Sequence, residues 1–296
     1  MNKNLLRALA VSALSYTPLY SRLAYGRAVI ENQEEYYLDI WLSNAAHYRE
    51  QCGGEPVRVV ELGPGSTLGA GLWALLLGAE RYTAIDSVQL TDLGRNLDFL
   101  ETAVRRTGQG DFDANFQRYG VDPAEAEAAV ARRAERVGDE LTRLFEGKSG
   151  MMAYLTPESV RPGDAPGNDL VFSHAVLEHV DDIDAVNESV YNLLRDGGCG
   201  IHVIDLSCHM THTLWNGHWT YSAPLWRVLR GARSYLINRK GATEYERSLL
   251  RAGFAIKRFE RKRSDTVLSR DSLAREFVHL PDDDLTTSGL LVIACK

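Results

Sequence analysis

Two groups of residues in this 296-residue chain have types and spacings that suit chemistry. The first sits in "VRVVELGPGSTLGAG", residues 57 to 71. Glu61 ends an apolar run, and Gly63, Pro64, Gly65 and Ser66 follow before a helical stretch. A strand, a glycine turn and a helix start together make a ligand seat. Glycine serves where the backbone must come close to that ligand. "RYTAID" then closes on Asp86, with Ser87 behind it. An acid so placed accepts hydrogen bonds from ribose hydroxyls. The second group is "IDLSCHMTHTLWNGHWTY", residues 204 to 221. It carries Asp205, His209, His212 and His218, interleaved with Trp215, Trp219 and Tyr221. Imidazoles titrate near neutrality and can take a proton from a hydroxyl. The aromatic residues offer faces for a sugar or ring. His209 stands closest to the strand end, so it is the expected base.

The elements that must position these groups follow from the hydrophobic pattern. Residues 1 to 55 read as a helical extension, with Tyr37, Ile40, Trp41 and Ala45 at helical spacing. Strands are expected at 57–62, 81–86, 151–155, 169–173, 199–207, 254–260 and 289–296. Helices fall between them. The clearest is "DPAEAEAAVARRAERVGDELTRLF", where Asp122 caps and Pro123 takes the first turn. "RDGG" is expected to end the helix that carries Val186 and Val190, and a short helix is expected near 271–278. Strands alternating with helices imply an α/β fold with a mostly parallel sheet and helices on both faces. The expected organisation is an extension at 1–55 and a ligand-binding domain at 56–296, with insertions near 107–148 and 208–240.

Composition narrows the classes. Hydrophobic residues make up 45% of the chain, enough for a full core. The net charge of −7 argues against a general nucleic-acid binder. Cys52, Cys199, Cys208 and Cys295 are scattered without a CxxC pair, so a reducing, cytoplasmic setting is expected. The apolar start is interrupted by Arg7 and Pro18. It reads as an amphipathic helix that packs on the domain or makes peripheral contact with a membrane, with a targeting segment as the alternative, rather than as a span. Arg227, Arg230, Arg233, Arg239 and Lys240 form a local basic run.

Nicotinamide dinucleotides and S-adenosylmethionine both use a glycine turn of this kind. A dinucleotide asks for GxGxxG. Here the glycines fall at 63, 65 and 69, one residue late, and Pro64 stiffens the turn. "VVELGPGST", "YTAID", "DLVFSHAVLEHV" and "LLRDGGCGIHVIDL" together resemble the ordered motifs of class I S-adenosylmethionine-dependent methyltransferases. The finer likeness is to bacterial methyltransferases of glycan and natural-product gene sets. The resemblance implies a sheet of about seven strands with the last antiparallel. It implies S-adenosylmethionine as cofactor. Glu61 would face the methionine ammonium, directly or through water, and Gly63 and Gly65 would pass beside the methionine and ribose. Asp86 would take the ribose hydroxyls. Tyr154 and Leu155 would pack the adenine, and Ser173 and His174 would line the reacting methyl. In ubiquinone-pathway O-methyltransferases an earlier Glu joins an "LEH" element to hold a metal. Ala175 stands at that place here, so no metal is expected, and Glu178 and His179 would orient local backbone. The acceptor is expected to be a small molecule or glycan, methylated at oxygen, with no nucleic-acid partner. The rival readings are a cofactor-binding scaffold without turnover and a nicotinamide-dependent oxidoreductase.

Overall fold

The computed structural model describes residues 3–17, 32–159, 167–209, 211–233, 236–265 and 268–296. Its sheet has seven strands: β1 (Arg58–Leu62), β2 (Arg81–Ile85), β3 (Met152–Leu155), β4 (Asn168–His174), β5 (Leu194–Asp205), β6 (Ala255–Arg263) and β7 (Thr287–Cys295). Their order is β3-β2-β1-β4-β5-β7-β6. β1 pairs in parallel with β2 and β4, and β2 with β3. The Gly197 amide donates to Lys296 O, and the Leu206 amide to Ser288 O. Low numbers thus meet high ones, so β7 runs antiparallel to β5. This is the Rossmann-like class I methyltransferase sheet that the motifs imply. The order reverses between β1 and β4, the place where open α/β sheets bind ligands.

The chain divides into two compact units. One comprises residues 29–174, 189–201 and 293–296, and the other 1–28, 175–188 and 202–292. The first unit is built on α2 (Gln33–Cys52), α3 (Gly69–Leu77), α4 (Leu93–Thr107), α5 (Asp113–Arg118) and α6 (Pro123–Phe145). α3 is apolar all round and buried over seven further residues from Ala70 to Leu76. α2 covers it: Trp73 Nε1 donates to Glu34 O at 2.9 Å. α6 starts as its sequence dictates, with the Asp122 carboxylate accepting from the Ala124 and Glu125 amides. Its buried side chains include Ala126, Val130, Val137 and Leu141, so the segment belongs to the core of this unit. At the start of the strands, Asp169 accepts from the Val57 and Arg58 amides and from Arg195.

The second unit contains α1 (Lys3–Leu14), α8 (Ala223–Arg230), α9 (Ala242–Ala252) and α10 (Asp282–Thr286). α1 contributes Ala8 to a cluster with Tyr221, Trp226, Leu229, Leu236 and Ile237. The expected extension at 1–55 is therefore two different things. α1 belongs with the second unit, and α2 is part of the first. Much of the stretch between them lies outside the described residues. No described helix is long and apolar enough to cross a membrane.

Three local readings change. "RDGG" does not end the helix at Ile183–Leu193 (α7); the strand already runs from Leu194, because Gly197 and Gly198 pair with Lys296. The short helix near 271–278 is two 3-10 turns, Arg270–Ser272 and Arg275–Phe277. Cys199 and Cys295 form a disulfide across the neighbouring strands β5 and β7, with Cα atoms 4.1 Å apart. Scattered spacing did not reveal the pair: 96 residues separate the two cysteines in sequence, and only the antiparallel pairing brings them together.

Candidate functional site

The cofactor candidates all fall in the first unit. Gly63 and Gly65 have φ of 65° and 72°, a left-handed backbone that a side-chain-bearing residue adopts at a cost. A Cβ built on Gly65 would meet no atom within 4 Å, so the turn borders open space. The Gly63 amide donates to Ile85 O, and the Gly65 amide donates to Asp86 Oδ2 at 3.2 Å. Asp86 Oδ1 also accepts from the Val88 amide. The turn after β1 and the acid after β2 are thus one hydrogen-bonded piece. Pro64 is buried and stiffens it; Ser66 is half-buried and Ser87 exposed.

Glu61 is not displayed as expected. It is 5% exposed and accepts from the Tyr82 hydroxyl at 2.6 Å. Burial pushes its carboxyl up to about 7, against the hydrogen bond from Tyr82. The side chain packs back into the core, because strand β1 is buried at that position and Tyr82 on β2 offers the nearest donor. Ser173 is closed off at 1% exposure, so its side chain does not line an open surface. His174 is partly buried, and burial lowers its pKa. Tyr154 and Leu155 stay half-exposed at the end of β3. Burial, followed by the charges of Asp86 and Glu61, raises the pKa of Tyr154, which puts its phenol in their vicinity.

Sequence reasoning missed Tyr36. Its ring lies edge-on to His174 at 5.9 Å between centroids and edge-on to Tyr37 at 5.2 Å. Burial and the Glu61 charge raise its pKa, yet the side chain remains 39% exposed. The available signal was the Tyr36–Tyr37 pair in the first turn of α2, where Tyr37 alone matched the core spacing.

The second group falls in the other unit and is sorted by burial. Trp219 is fully buried in a cluster with Leu268, Leu273 and Leu285, and its Nε1 donates to Arg239 O. Tyr221 is buried, with its hydroxyl donating to Thr211 O. His218 is 1% exposed, and burial, then Arg239, pushes it down to about 3. Trp219, Tyr221 and His218 are therefore core groups and not a platform for an acceptor. The physical reason is that the 208–240 segment needs its own apolar centre. His212 and Trp215 remain half-buried, and His212 Nδ1 accepts from the Leu214 amide. Four members of the basic run make contacts within the unit, and Arg227 is exposed. Arg230 pairs with Asp181 at 2.7 Å, Lys240 approaches Glu244 at 3.7 Å, and the buried Arg233 donates to Leu229 O. Arg239 stacks on Trp226 and Phe277.

What stays open is Asp205 and His209. Asp205 Oδ2 lies 3.2 Å from His209 Nε2, with side chains 46% and 30% exposed. That hydrogen bond holds the Asp205 carboxyl well below the usual range. His209 has φ of 43°, rare for a residue with a side chain and a cost of about 1–2 kcal/mol. Such outliers cluster at functional sites. The His179 ring stands 5.1 Å from that of His209. Glu178, beside it, is 1% exposed. The turn Leu177–His179 is clamped from outside: Asn238 Nδ2 donates to Leu177 O and Val180 O, and the Asn238 amide donates to Glu178 O. Glu178 and His179 were expected to orient backbone; Asn238, through its side chain and its amide, holds the backbone of their turn.

No protein-family model and no curated protein matches the chain. Solved structures do. An S-adenosylmethionine-dependent methyltransferase from Mesorhizobium loti is 17% identical, with 86% of this chain and 100% of that one covered and a TM-score of 0.43. A geranyl diphosphate methyltransferase in complex with its cofactor is 12% identical, with 93% and 94% covered and a TM-score of 0.45. The [4+2]-cyclase SpnF is 14% identical, with 87% and 80% covered and a TM-score of 0.44. The fold assignment rests on the strand order, and the site on its residues.

Proposed function

We propose that the protein is an S-adenosylmethionine-dependent methyltransferase acting on a small molecule or glycan, at oxygen. The observation that carries the reading is the joined turn: Gly65 bonded to Asp86, at the carboxyl ends of β1 and β2, beside open space. That arrangement suits a cofactor with a ribose and no phosphate. Asp86 would accept the ribose hydroxyls, Gly63, Gly65 and Ser66 would pass along the methionine end, and Tyr154 and Leu155 would flank the adenine. Tyr36 and His174 would stand near the methyl. Glu61, being buried, acts by fixing the strand end rather than by meeting the ammonium.

Methyl transfer is an in-line displacement on a carbon already activated by the sulfonium, so position dominates. As the new O–C bond forms, the S–C bond breaks, a neutral thioether leaves, and the hydroxyl proton must go elsewhere. His209, held by Asp205, is the group through which the acceptor loses that proton. Calorimetry with S-adenosylmethionine, its demethylated product and NADH tests the cofactor. Micromolar binding of the first two and none of NADH is expected; the reverse pattern ends the reading. Transfer of labelled methyl to acceptor pools then separates an enzyme from a silent scaffold. His209→Gln should lower turnover roughly 10²–10⁴-fold and leave cofactor affinity unchanged.

A further inference from the structure

One donor atom from each of Glu178, His179 and His209 lies within 4.8 Å of the other two. All three belong to the second unit. No side chain donates a hydrogen bond to either carboxylate oxygen of Glu178 among the described residues, although the residue is 1% exposed; the donors near it are the backbone amides of Glu178 itself and Asp205. A buried carboxylate without a charged partner is costly, and such groups are normally paired or bound to a metal. No Lys or Arg ion pair with Glu178 is present among the described residues; the groups facing it are the His179 and His209 rings, with Asp205 behind His209. Two imidazoles and one carboxylate form a donor set used by open, catalytic zinc sites.

From these contacts we infer that Glu178, His179 and His209 bind one divalent transition-metal ion, zinc by donor type, and that His209 acts on the acceptor as a ligand of this ion.

Geometry, rigidity and access each support the site. Zinc with bonds of about 2.0–2.2 Å holds its ligand atoms about 3.3 Å apart. The backbone is already fixed. Asn238 and Tyr245 donate to the carbonyls of the Leu177–Val180 turn, and the left-handed backbone at His209 turns that residue toward it. Asp205 holds the His209 ring, as carboxylates commonly hold ligating imidazoles. The side chains of His179, His209 and Asp205 keep 26%, 30% and 46% of their surface, so the ion has an entry. Two of the three donors are imidazole nitrogens, which disfavours calcium and magnesium. Three protein ligands leave a coordination position for an acceptor oxygen. An ion there lowers the pKa of a bound hydroxyl, so that His209 would assist loss of its proton through the ion it holds.

The role of the ion rests on the methyltransferase reading; its binding does not. The test uses the full, tag-free chain, stripped with chelator and titrated with Co²⁺ and Zn²⁺. One Co²⁺ per chain is expected, with visible absorption in the four- to five-coordinate range and displacement by one equivalent of Zn²⁺. Glu178→Gln and His209→Ala should each weaken Zn²⁺ binding at least 100-fold, and Asp205→Asn 10- to 100-fold. Thermal melting and S-adenosylmethionine binding of each variant report whether the fold survives. Glu178→Gln keeps size and shape, so it remains informative if His209→Ala does not fold. Failure of the wild type to bind Co²⁺ saturably overturns the site. So does stoichiometric binding that both substitutions leave intact. A protein that binds the metal but no S-adenosylmethionine keeps this inference and loses the function proposed above.

Discussion

The Gly65 amide donates to Asp86 Oδ2 at 3.2 Å, so the acid that would read a ribose also holds the turn that would cradle the cofactor. Asp86→Ala removes both actions. Loss of a charge-assisted pair of hydrogen bonds costs about 1.5–3 kcal/mol. S-adenosylmethionine affinity should fall roughly 10- to 150-fold in calorimetry, with the melting transition retained. Unchanged affinity would mean that the ribose is bound elsewhere.

Gly65 separates strain from occupancy. At φ of 72° any side chain is strained, and a Cβ there meets nothing within 4 Å. Gly65→Ala and Gly65→Val both carry that strain, about 1–2 kcal/mol in unfolding free energy and somewhat more for the branched residue. If the cofactor passes this point, valine should abolish binding while alanine only weakens it. Equal binding by the two variants would place the cofactor away from the turn.

Glu61 predicts a pH dependence of stability. Its carboxyl titrates near 4.5 in an unfolded chain and at about 7 in the fold, chiefly because of burial. Between those values the folded protein keeps a proton that the unfolded chain has released. Stability should therefore fall as pH rises through this window and level off above it. At 1.36 kcal/mol per unit the change is at most about 3 kcal/mol. Glu61→Gln should flatten this part of the profile in urea unfolding at pH 5, 6, 7 and 8. Parallel profiles for variant and wild type would contradict the burial argument.

The cysteines predict a thiol count. Cys199 and Cys295 are paired, whereas Cys52 and Cys208 are free, with Cys52 Sγ 3.6 Å from Cys199 Sγ. Unfolded, unreduced protein should take two alkylating groups and reduced protein four. Cys295→Ser should destabilise by about 2–5 kcal/mol, since the bond closes a long loop. Four labels before reduction would remove the disulfide.

The turn and cap geometry was legible because it is local. The turn at Gly63–Gly65, the cap at Asp122 and the acid at Asp86 depend on residues a few positions apart, and backbone preference alone selects them. The alternating pattern of strands and helices was legible for the same reason. Boundaries slipped where pairing partners lie far off, as at Gly197 with Lys296.

By itself, then, the sequence determined the α/β class, the order of motifs and the candidates at strand ends, because periodicity and turn chemistry act over short range. Tertiary structure alone decided which candidates face outward. Trp219, His218 and Tyr221 share a segment with His209, yet they are drawn into apolar clusters while His209 stays open beside Asp205. It also turned Glu61 inward to Tyr82 and brought Tyr36 to His174. Glu178 and His179 met His209 across some thirty residues of chain in the same way. These outcomes depend on what packs against each residue, and burial is a property of neighbours that no local pattern encodes.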